Sequence, residues 1–292
     1  ALLGPYREHL IEQCRFVPLR GIRREELHER GDPQRASADP DQRLELERIF
    51  VELDTRTEMA VADRSGRKRA AQSRDEILLE AEGGKLKTRP LPALEAVAGN
   101  SSRHSVLHGA PGCGKSTFVR FLVLALAHCG LGRQRDWLPR LASWPGAEAA
   151  LLPLRVELRH FAVWLKKQQE KAEQQAKETG QKPNEHRFEH AEPCHLWNFI
   201  TQELAALRDK CSWRDLRPAV EQLVREGRAI FLLDGLDEAP GAAGKLLVRD
   251  CIEKFAQEGI GKPCRIVVTC RPRSYDADYK KRSLHLFVSG RP

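Results

Sequence analysis

The sequence lacks long apolar runs, and this argues against a membrane-spanning helix. Of its 292 residues, 41% are hydrophobic, but no apolar run reaches the roughly 18 residues that a membrane-spanning helix needs. No signal-peptide pattern and no internal repeat is visible either. We therefore expect a protein that has no membrane as a partner.

The eight cysteines lack the spacings of metal-binding or disulfide-exchanging motifs. They form no C-x-x-C pair and no Cys/His pattern of the zinc kind. Thiols in such an arrangement are typical of a reducing compartment. We interpret them as reduced cysteines of a cytoplasmic protein.

Charged residues of both signs are abundant in the sequence. The chain has 49 Lys and Arg against 41 Asp and Glu, which gives a net charge of +8. Such an excess permits contact with nucleic acid or acidic lipid. However, the cations are scattered among nearly as many acids, so nucleic acid stays open as a partner without being indicated.

A glycine-rich loop, residues 109–117, carries the strongest chemical signal. Its letters G-A-P-G-C-G-K-S-T contain the complete pattern G-x-x-x-x-G-K-[ST]. Val106 and Leu107 before it predict a buried strand, and the long apolar segment after it predicts a buried helix. This strand–loop–helix context is that of a phosphate-binding P-loop. We therefore predict that the chain binds a nucleoside triphosphate.

Each part of the glycine-rich loop has a predicted role. Glycine lets successive backbone N–H groups turn toward phosphate oxygens, which a Cβ would obstruct, and the following helix points its positive end at the same anion. The Lys115 ammonium would reach the β- and γ-phosphates, and the Ser116 hydroxyl would ligate Mg²⁺. The predicted nucleotide-binding residues are Gly109, Ala110, Pro111, Gly112, Cys113, Gly114, Lys115, Ser116 and Thr117.

A second chemical element, A-I-F-L-L-D-G-L-D-E, occupies residues 229–238. An apolar strand that ends in Asp is the Walker B pattern, and it would carry Asp234 to the Mg²⁺ beside the loop. Asp237 or Glu238 would orient and deprotonate the attacking water. The alternative is that these two acids only cap the next helix. The sequence does not decide which of them would be the base.

A third element, R-I-V-V-T-C-R-P, occupies residues 265–272. A predicted strand ends at Thr269, and Arg271 on the following loop would sense or neutralise the γ-phosphate. The candidate catalytic residues are therefore Lys115, Asp237, Glu238 and Arg271. The candidate metal ligands are Ser116 and Asp234.

The order of elements predicts an α/β fold. Strands that alternate with helices indicate a mostly parallel sheet covered by helices on both faces. We predict five strands: one leading into residue 109, and those at residues 151–158, 229–233, 265–269 and 284–288. A mainly helical N-terminal segment, residues 1–85, would precede an NTPase domain, residues 86–292, with a polar, partly helical or disordered insertion at 166–192. Residues 1–30 carry a helical pattern, with Leu10, Ile11, Cys14 and Phe16 as the candidates for its inward face. Residues 44–53 end in I-F-V-E-L, a short strand candidate.

The three elements together resemble the NACHT family of signal-transducing P-loop ATPases. The segments that carry the resemblance are H-G-A-P-G-C-G-K-S-T, F-L-L-D-G-L-D-E-A and V-V-T-C-R-P, in this order. The small residue Gly235 after the metal-binding aspartate, followed by Leu-Asp-Glu, is the most discriminating feature. Less specifically, P-Y-R-E-H-L, L-R-G-I and I-F-V-E-L resemble the segment that precedes NACHT modules in bacterial multidomain proteins.

The resemblance implies a switch. In that family ADP holds a closed monomer, and exchange for ATP permits a homo-oligomer that activates an attached effector. The resemblance thus implies ATP/ADP and Mg²⁺ as cofactors, and signalling in innate immunity, in bacteria antiphage defence. The helical, winged-helix and repeat domains that normally follow a NACHT module have no counterpart in these residues. We expect a C-terminally truncated chain whose sensor and effector domains lie outside it.

Two other classes of function compete with the switch. The basic balance and a related P-loop fold also suit a nucleic-acid-dependent AAA-like ATPase, a motor or loader. A small-molecule phosphotransferase would need a lid and an acceptor pocket, and no segment indicates either. Because no guanine-reading N-K-x-D motif is present, the preference for ATP over GTP follows the family resemblance.

Overall fold

From residue 104 onward, each strand of the protein is separated from the next by one or more helices. In the computed structural model, the described residues are 3–17, 44–50, 53–58, 88–99, 103–141, 144–179, 191–207 and 213–271. The N-terminal elements are α1 (Gly4–Cys14), β1 (Phe16–Val17), β2 (Leu44–Glu45), α2 (Leu46–Ile49), β3 (Asp54–Glu58), β4 (Thr88–Pro92) and α3 (Ala93–Ala98). The remaining ones are β5 (His104–His108), α4 (Lys115–Gly130), α5 (Gln134–Trp137), β6 (Leu152–Glu157), α6 (Leu158–Thr179), α7 (His195–Ala206), α8 (Trp213–Arg225), β7 (Ala229–Asp234), α9 (Ala242–Gln257) and β8 (Arg265–Cys270).

The central sheet has four parallel strands within the described part of the chain, in the order β5-β8-β7-β6. Every residue of β7 and β8 is buried. Continuous burial is expected of inner parallel strands, because helices cover both faces of such a sheet. The predicted α/β fold with a parallel sheet is confirmed, and four of the five predicted strands lie among the described residues. The fifth predicted strand, residues 284–288, lies outside the described residues.

Helix α4 supplies much of the core beside the sheet. Ten of its residues are buried, in an almost unbroken run from Phe118 to Cys129. A helix that is apolar all round must be covered on all sides, and α4 packs against β6, β7 and α1. The second group of helices, α6, α7 and α9, packs together. Phe255 of α9 meets Phe231 of β7 edge to face, with ring centroids 4.8 Å apart.

The N-terminal segment is attached to the sheet domain through α1. Leu10, Ile11 and Cys14 are buried, as the helical pattern predicts, and the Tyr6 hydroxyl donates to the carbonyl of Pro153 in β6 at 3.2 Å. The strands β3 and β4 form an antiparallel ladder. This ladder joins residues on the two sides of the predicted boundary between 85 and 86. The boundary itself lies outside the described residues and stays a prediction.

Two local predictions are wrong. Phe16 and Val17, within the helical pattern of residues 1–30, form β1 and pair with β2. The strand candidate I-F-V-E-L, residues 49–53, fails at its start, because Leu46–Ile49 is a helical turn and Phe50 belongs to no strand; residues 51 and 52 lie outside the described part. The turn is favoured by tertiary contacts that local β propensity does not reveal. The Leu46 side chain is fully buried, and its N–H donates to the Arg15 carbonyl at 2.7 Å.

The polar insertion predicted at 166–192 begins as a helix. Helix α6 continues to Thr179, with mostly exposed side chains beyond residue 165. Residues 180–190 lie outside the described part. Across the described ranges, no helix combines the length and the apolar character that a membrane crossing requires.

Arg265, the first residue of β8, binds both the end of α3 and Glu148, which precedes β6. Its side chain is only 8% exposed and pairs with Glu148. The same guanidinium donates to the carbonyls of Val97 at 3.0 Å and Ala98 at 3.1 Å, at the end of α3. One buried cation thereby satisfies a carboxylate and two helix-terminal carbonyls, which would otherwise lack partners.

We predict that Arg265→Met lowers the free energy of unfolding by about 3 kcal/mol, near the lower end for breaking a buried ion pair. The lower end applies because the Glu148 side chain is 24% exposed. Urea denaturation followed by circular dichroism measures the change. The matched control is Arg225→Met, since that side chain is 72% exposed and its ion pair spans 4.0 Å. A loss no larger than that of the control would contradict the anchoring role.

Candidate functional site

The predicted site residues converge on one edge of the sheet. Parallel strands present their carboxyl ends at the same edge, which is where ligands bind in open α/β sheets. The strands end at His108, Glu157, Asp234 and Cys270. Glu157 is directly opposite Asp234 in the register, and His108 is opposite Cys270. The glycine-rich loop, the acidic turn after β7 and Arg271 therefore begin beside one another.

The glycine-rich loop has backbone conformations that favour glycine. Gly112 and Gly114 have φ values of 75° and 90°, a region in which a Cβ is strained. Gly114 directly precedes the first residue of α4. A Cβ on Gly109 would lie 2.4 Å from the Cys113 sulfur. The loop closes tightly over the start of α4, where unpaired helix N–H groups and the helix dipole favour an anion.

The Lys115 side chain folds back over this loop. Its Nζ donates to the carbonyl oxygens of Gly109 at 2.7 Å and Ala110 at 2.9 Å, and it lies 3.5 Å from the Cys113 sulfur. The ammonium is therefore held inside the curve of the loop by neutral partners. Phosphate oxygens are stronger acceptors for an ammonium than carbonyls, because the bond becomes charge-assisted on both sides.

The Asp234 carboxylate joins three elements. Its Oδ1 accepts hydrogen bonds from the Ser116 hydroxyl at 3.0 Å and from the Thr269 hydroxyl at 2.6 Å. The Thr269 oxygen in turn accepts the N–H of Gly235 at 2.9 Å. One buried carboxylate, 7% exposed, thus connects the start of α4, the end of β7 and the end of β8 through hydrogen bonds.

Ser116 and Asp234 fit a magnesium ion by their chemistry and by their separation. Adjacent oxygen ligands of octahedral Mg²⁺, each 2.0–2.1 Å from the ion, lie about 2.9 Å apart. The two side-chain oxygens are 3.0 Å apart. Across the described ranges, no group of three or more His, Cys, Asp or Glu could hold a metal. An ion here would take its other ligands from phosphates and water, as Mg²⁺ commonly does.

The two acids of the turn after β7, Asp237 and Glu238, have different surroundings. Gly235, with φ of 79°, begins a 3-10 turn at Leu236–Glu238. Asp237 lies 9% exposed and binds Arg271, with Oδ2 at 2.7 Å from Nε. The Glu238 side chain, 47% exposed, extends over Gly235, where an added Cβ would meet its Cδ at 3.1 Å. A side chain larger than glycine at 235 would displace Glu238.

Two arginines, Arg155 in β6 and Arg159 just after it, also lie at this edge of the sheet. Arg155 pairs with Glu157 at 2.9 Å and reaches Asp234 Oδ2 at 3.7 Å. Arg159 pairs with Glu157 at 2.5 Å and approaches Glu238 at 3.7 Å. Burial alone would raise the pKa of Glu157, but the positive charges of Arg155 and Arg159 outweigh it and lower that pKa. Glu157 therefore carries its negative charge at neutral pH.

Sequence reasoning missed four residues of this edge: Thr269, Arg155, Glu157 and Arg159. A signal for two of them was present, since Arg155 and Glu157 interrupt an otherwise apolar strand at alternate positions, on one face of the sheet. Thr269 was identified only as the end of a strand. Its role depends on Asp234, which is 35 residues away, and no local pattern reveals such a pairing.

A cavity of about 390 Å³ lies along the outer side of β6. Arg155 and Glu157 contribute to its wall, together with Tyr6, Arg120 and Phe199. None of its lining residues belongs to the glycine-rich loop or to the acidic turn. The cavity is therefore separate from the candidate phosphate site, although it shares the Arg155–Glu157 pair with it.

Comparisons with known proteins identify no relative. No protein-family model, no curated protein and no solved structure matches the chain. The site is therefore interpreted from its own motifs and geometry.

The hydrogen bonds around Asp234 can be tested by substitution of Thr269. We predict that Thr269→Val lowers the free energy of unfolding by about 1.5–3 kcal/mol, the usual contribution of a hydrogen bond to a charged group. The expected loss arises because Asp234 and the Gly235 N–H both lose a buried partner. Thr269→Ser keeps the hydroxyl and serves as the control in the same urea titration. Equal losses for Val and Ser would show that the hydroxyl contributes nothing.

Proposed function

We propose that this chain binds ATP with Mg²⁺ and hydrolyses it slowly, as a switch whose nucleotide state controls oligomerisation and signalling. The observation that carries the proposal is the hydrogen bond from Ser116 to Asp234. It joins the complete G-x-x-x-x-G-K-[ST] pattern to the strand-terminal aspartate, as a shared metal would require.

The glycine-rich loop would hold the triphosphate. Its exposed residues run from Ala110 to Cys113. Apart from Pro111, which has no N–H, the loop residues would present backbone N–H groups to the phosphate oxygens at the start of α4. The Lys115 ammonium would exchange the carbonyls of Gly109 and Ala110 for phosphate oxygens. ATP is proposed over GTP from the resemblance to the NACHT family.

The hydroxyl of Ser116 and the carboxylate of Asp234 would hold Mg²⁺. When bound, this ion supplies positive charge against the charge that develops on the transferred phosphate. Asp237 and Glu238 supply carboxylates for the attacking water, and Arg271 supplies a cation for the γ-phosphate. All three side chains start from the same sheet edge as Asp234.

The switch is proposed from the resemblance of three motifs to the NACHT family, together with their placement at one sheet edge. On this proposal the ATP state is a homo-oligomer, and the sensor and effector domains belong to other parts of a longer protein. Signalling in innate immunity or antiphage defence is the corresponding biological role.

A nucleic-acid-dependent AAA-like ATPase is the second candidate, and the net charge of +8 favours it. The two candidates differ in what controls them. Hydrolysis stimulated by DNA or RNA would support the second, whereas oligomers that form in ATP but not in ADP would support the switch. Light scattering and a phosphate-release assay distinguish the two.

Lys115 tests nucleotide binding. We predict that Lys115→Ala weakens ATP binding by at least about tenfold, since a hydrogen bond to a charged group contributes about 1.5–3 kcal/mol. Titration with a fluorescent ATP analogue measures the affinity. Lys166→Ala, whose side chain is 73% exposed on α6, is the control and should bind like the parent. Unchanged affinity in Lys115→Ala would rule out the phosphate-binding role of the loop.

Asp234 tests the metal site separately from binding. Asp234→Asn keeps the size of the side chain and one acceptor for Ser116 and Thr269, but it removes the charge that favours Mg²⁺. We predict that it abolishes Mg²⁺-dependent phosphate release, with ADP affinity in EDTA within about threefold of the parent, a difference of roughly 0.6 kcal/mol. Phosphate release that continues at the parental rate would show that the metal ligand lies elsewhere.

A further inference from the structure

Two successive contacts connect the acidic turn after β7 to the end of β8. In the first, the Thr269 hydroxyl binds both the Asp234 carboxylate and the Gly235 N–H. In the second, just after β8, Arg271 binds Asp237. The turn and the following strand are therefore held in register by the hydrogen bonds of one hydroxyl group and by one ion pair.

The contact of Asp237 with Arg271 uses both carboxylate oxygens. Oδ1 accepts the backbone N–H of Arg271 at 3.2 Å, and Oδ2 pairs with its side-chain Nε at 2.7 Å. One side chain thus fixes the backbone and the guanidinium of the same residue. With 9% of its side chain exposed, Asp237 offers little surface to a water molecule.

Glu238 has the opposite environment. Its side chain is 47% exposed, and its contact with Arg159 spans 3.7 Å, beyond hydrogen-bond distance. Among the described residues, no hydrogen bond to its carboxylate is present. A general base must lie within reach of the water whose proton it accepts. Of the two acids, Glu238 is the one that is exposed and whose carboxylate oxygens have no hydrogen bond to a described residue.

We infer that Asp237 is a positioning residue for Arg271 and is not the acid that acts on the attacking water. This inference rests on the proposed ATPase function. It decides a question that the sequence leaves open. Asp237 aims the Arg271 guanidinium across the sheet edge, so that its remaining N–H groups can reach the γ-phosphate.

The two roles have different consequences for binding. A base acts on water and contributes to the chemical step, by about 10²–10⁴-fold, without a contact that distinguishes ATP from ADP. A residue that positions Arg271 contributes to that distinction, because the γ-phosphate is present only in ATP. The ratio of ATP to ADP affinity therefore separates a positioning acid from a base.

The experiment is a double-mutant cycle on that ratio. It compares the parent with Arg271→Ala, Asp237→Ala, the double variant and Glu238→Gln, by titration with ATP and ADP under non-hydrolysing conditions. We expect Arg271→Ala to lower the ATP preference by about 10- to 150-fold, the range for a charge-assisted hydrogen bond. Asp237→Ala should fall in the same range, and the double variant within about twofold of Arg271→Ala, the error of additive sites. Glu238→Gln should keep the parental ratio and lose hydrolysis in single-turnover assays.

Asp250→Ala is the matched control, since Asp250 is also paired with an arginine, Arg249, but on α9 outside the site. It should leave the affinity ratio and the hydrolysis rate unchanged. Urea denaturation of each variant shows whether it is folded, and Asp237→Asn, which keeps an acceptor for the Arg271 N–H, replaces Asp237→Ala if that variant is unstable.

The possible results separate this inference from the function on which it rests. If the parent neither binds nor hydrolyses ATP, the proposed function fails and the inference fails with it. If the parent is active but Asp237→Ala keeps its ATP preference and loses hydrolysis, Asp237 is the base and only this inference is overturned. A double variant whose losses multiply would likewise overturn it, because the two residues would then act independently.

Discussion

The hydroxyl–carboxylate–hydroxyl contact centred on Asp234 is the interaction on which the site depends. A carboxylate that is only 7% exposed needs charge-assisted partners, because an unpaired buried charge is strongly destabilising. Ser116 and Thr269 provide them, at 3.0 and 2.6 Å. Each partner comes from a different element, so satisfying one charge also fixes α4, β7 and β8 at their shared edge.

This arrangement explains the register in which the strands β7 and β8 pair. Both strands are completely buried and, apart from Asp234, Arg265 and Thr269, consist of apolar residues and Cys270, so burial favours their pairing. Apolar burial alone would tolerate a shift of register by two residues, since the same face would stay buried. The polar contacts of Thr269 with Asp234 and Gly235 do not tolerate it. The hydrogen bonds thus specify a register that the hydrophobic effect leaves open.

Much of the fold could be predicted from the sequence, since apolar segments of characteristic length indicate their own structure. The helix after the glycine-rich loop and the strands around Phe231 and Val267 are of this kind. The strand candidate at residues 49–53 was wrong at its first residue, because burial of Leu46 against distant residues favours the helical turn that ends at Ile49. The site residues found from sequence belong to contiguous motifs. The pairing of Thr269 with Asp234 and the approach of Arg159 to Glu238 could not be found, because they depend on which strands become neighbours.

The edge is nearly balanced in charge, and this affects what a phosphate ligand must do there. The carboxylates of Glu157, Asp234, Asp237 and Glu238 face the guanidinium groups of Arg155, Arg159 and Arg271, while Lys115 binds loop carbonyls. Each of these four described cations therefore already has a partner. An anion that binds at this edge would exchange some of these contacts for its own, so its affinity would be a difference between new and existing contacts. Lys115 would give up only neutral acceptors, whereas Arg271 would have to share its charge with Asp237. The exchange would therefore be more favourable at the loop than at Arg271.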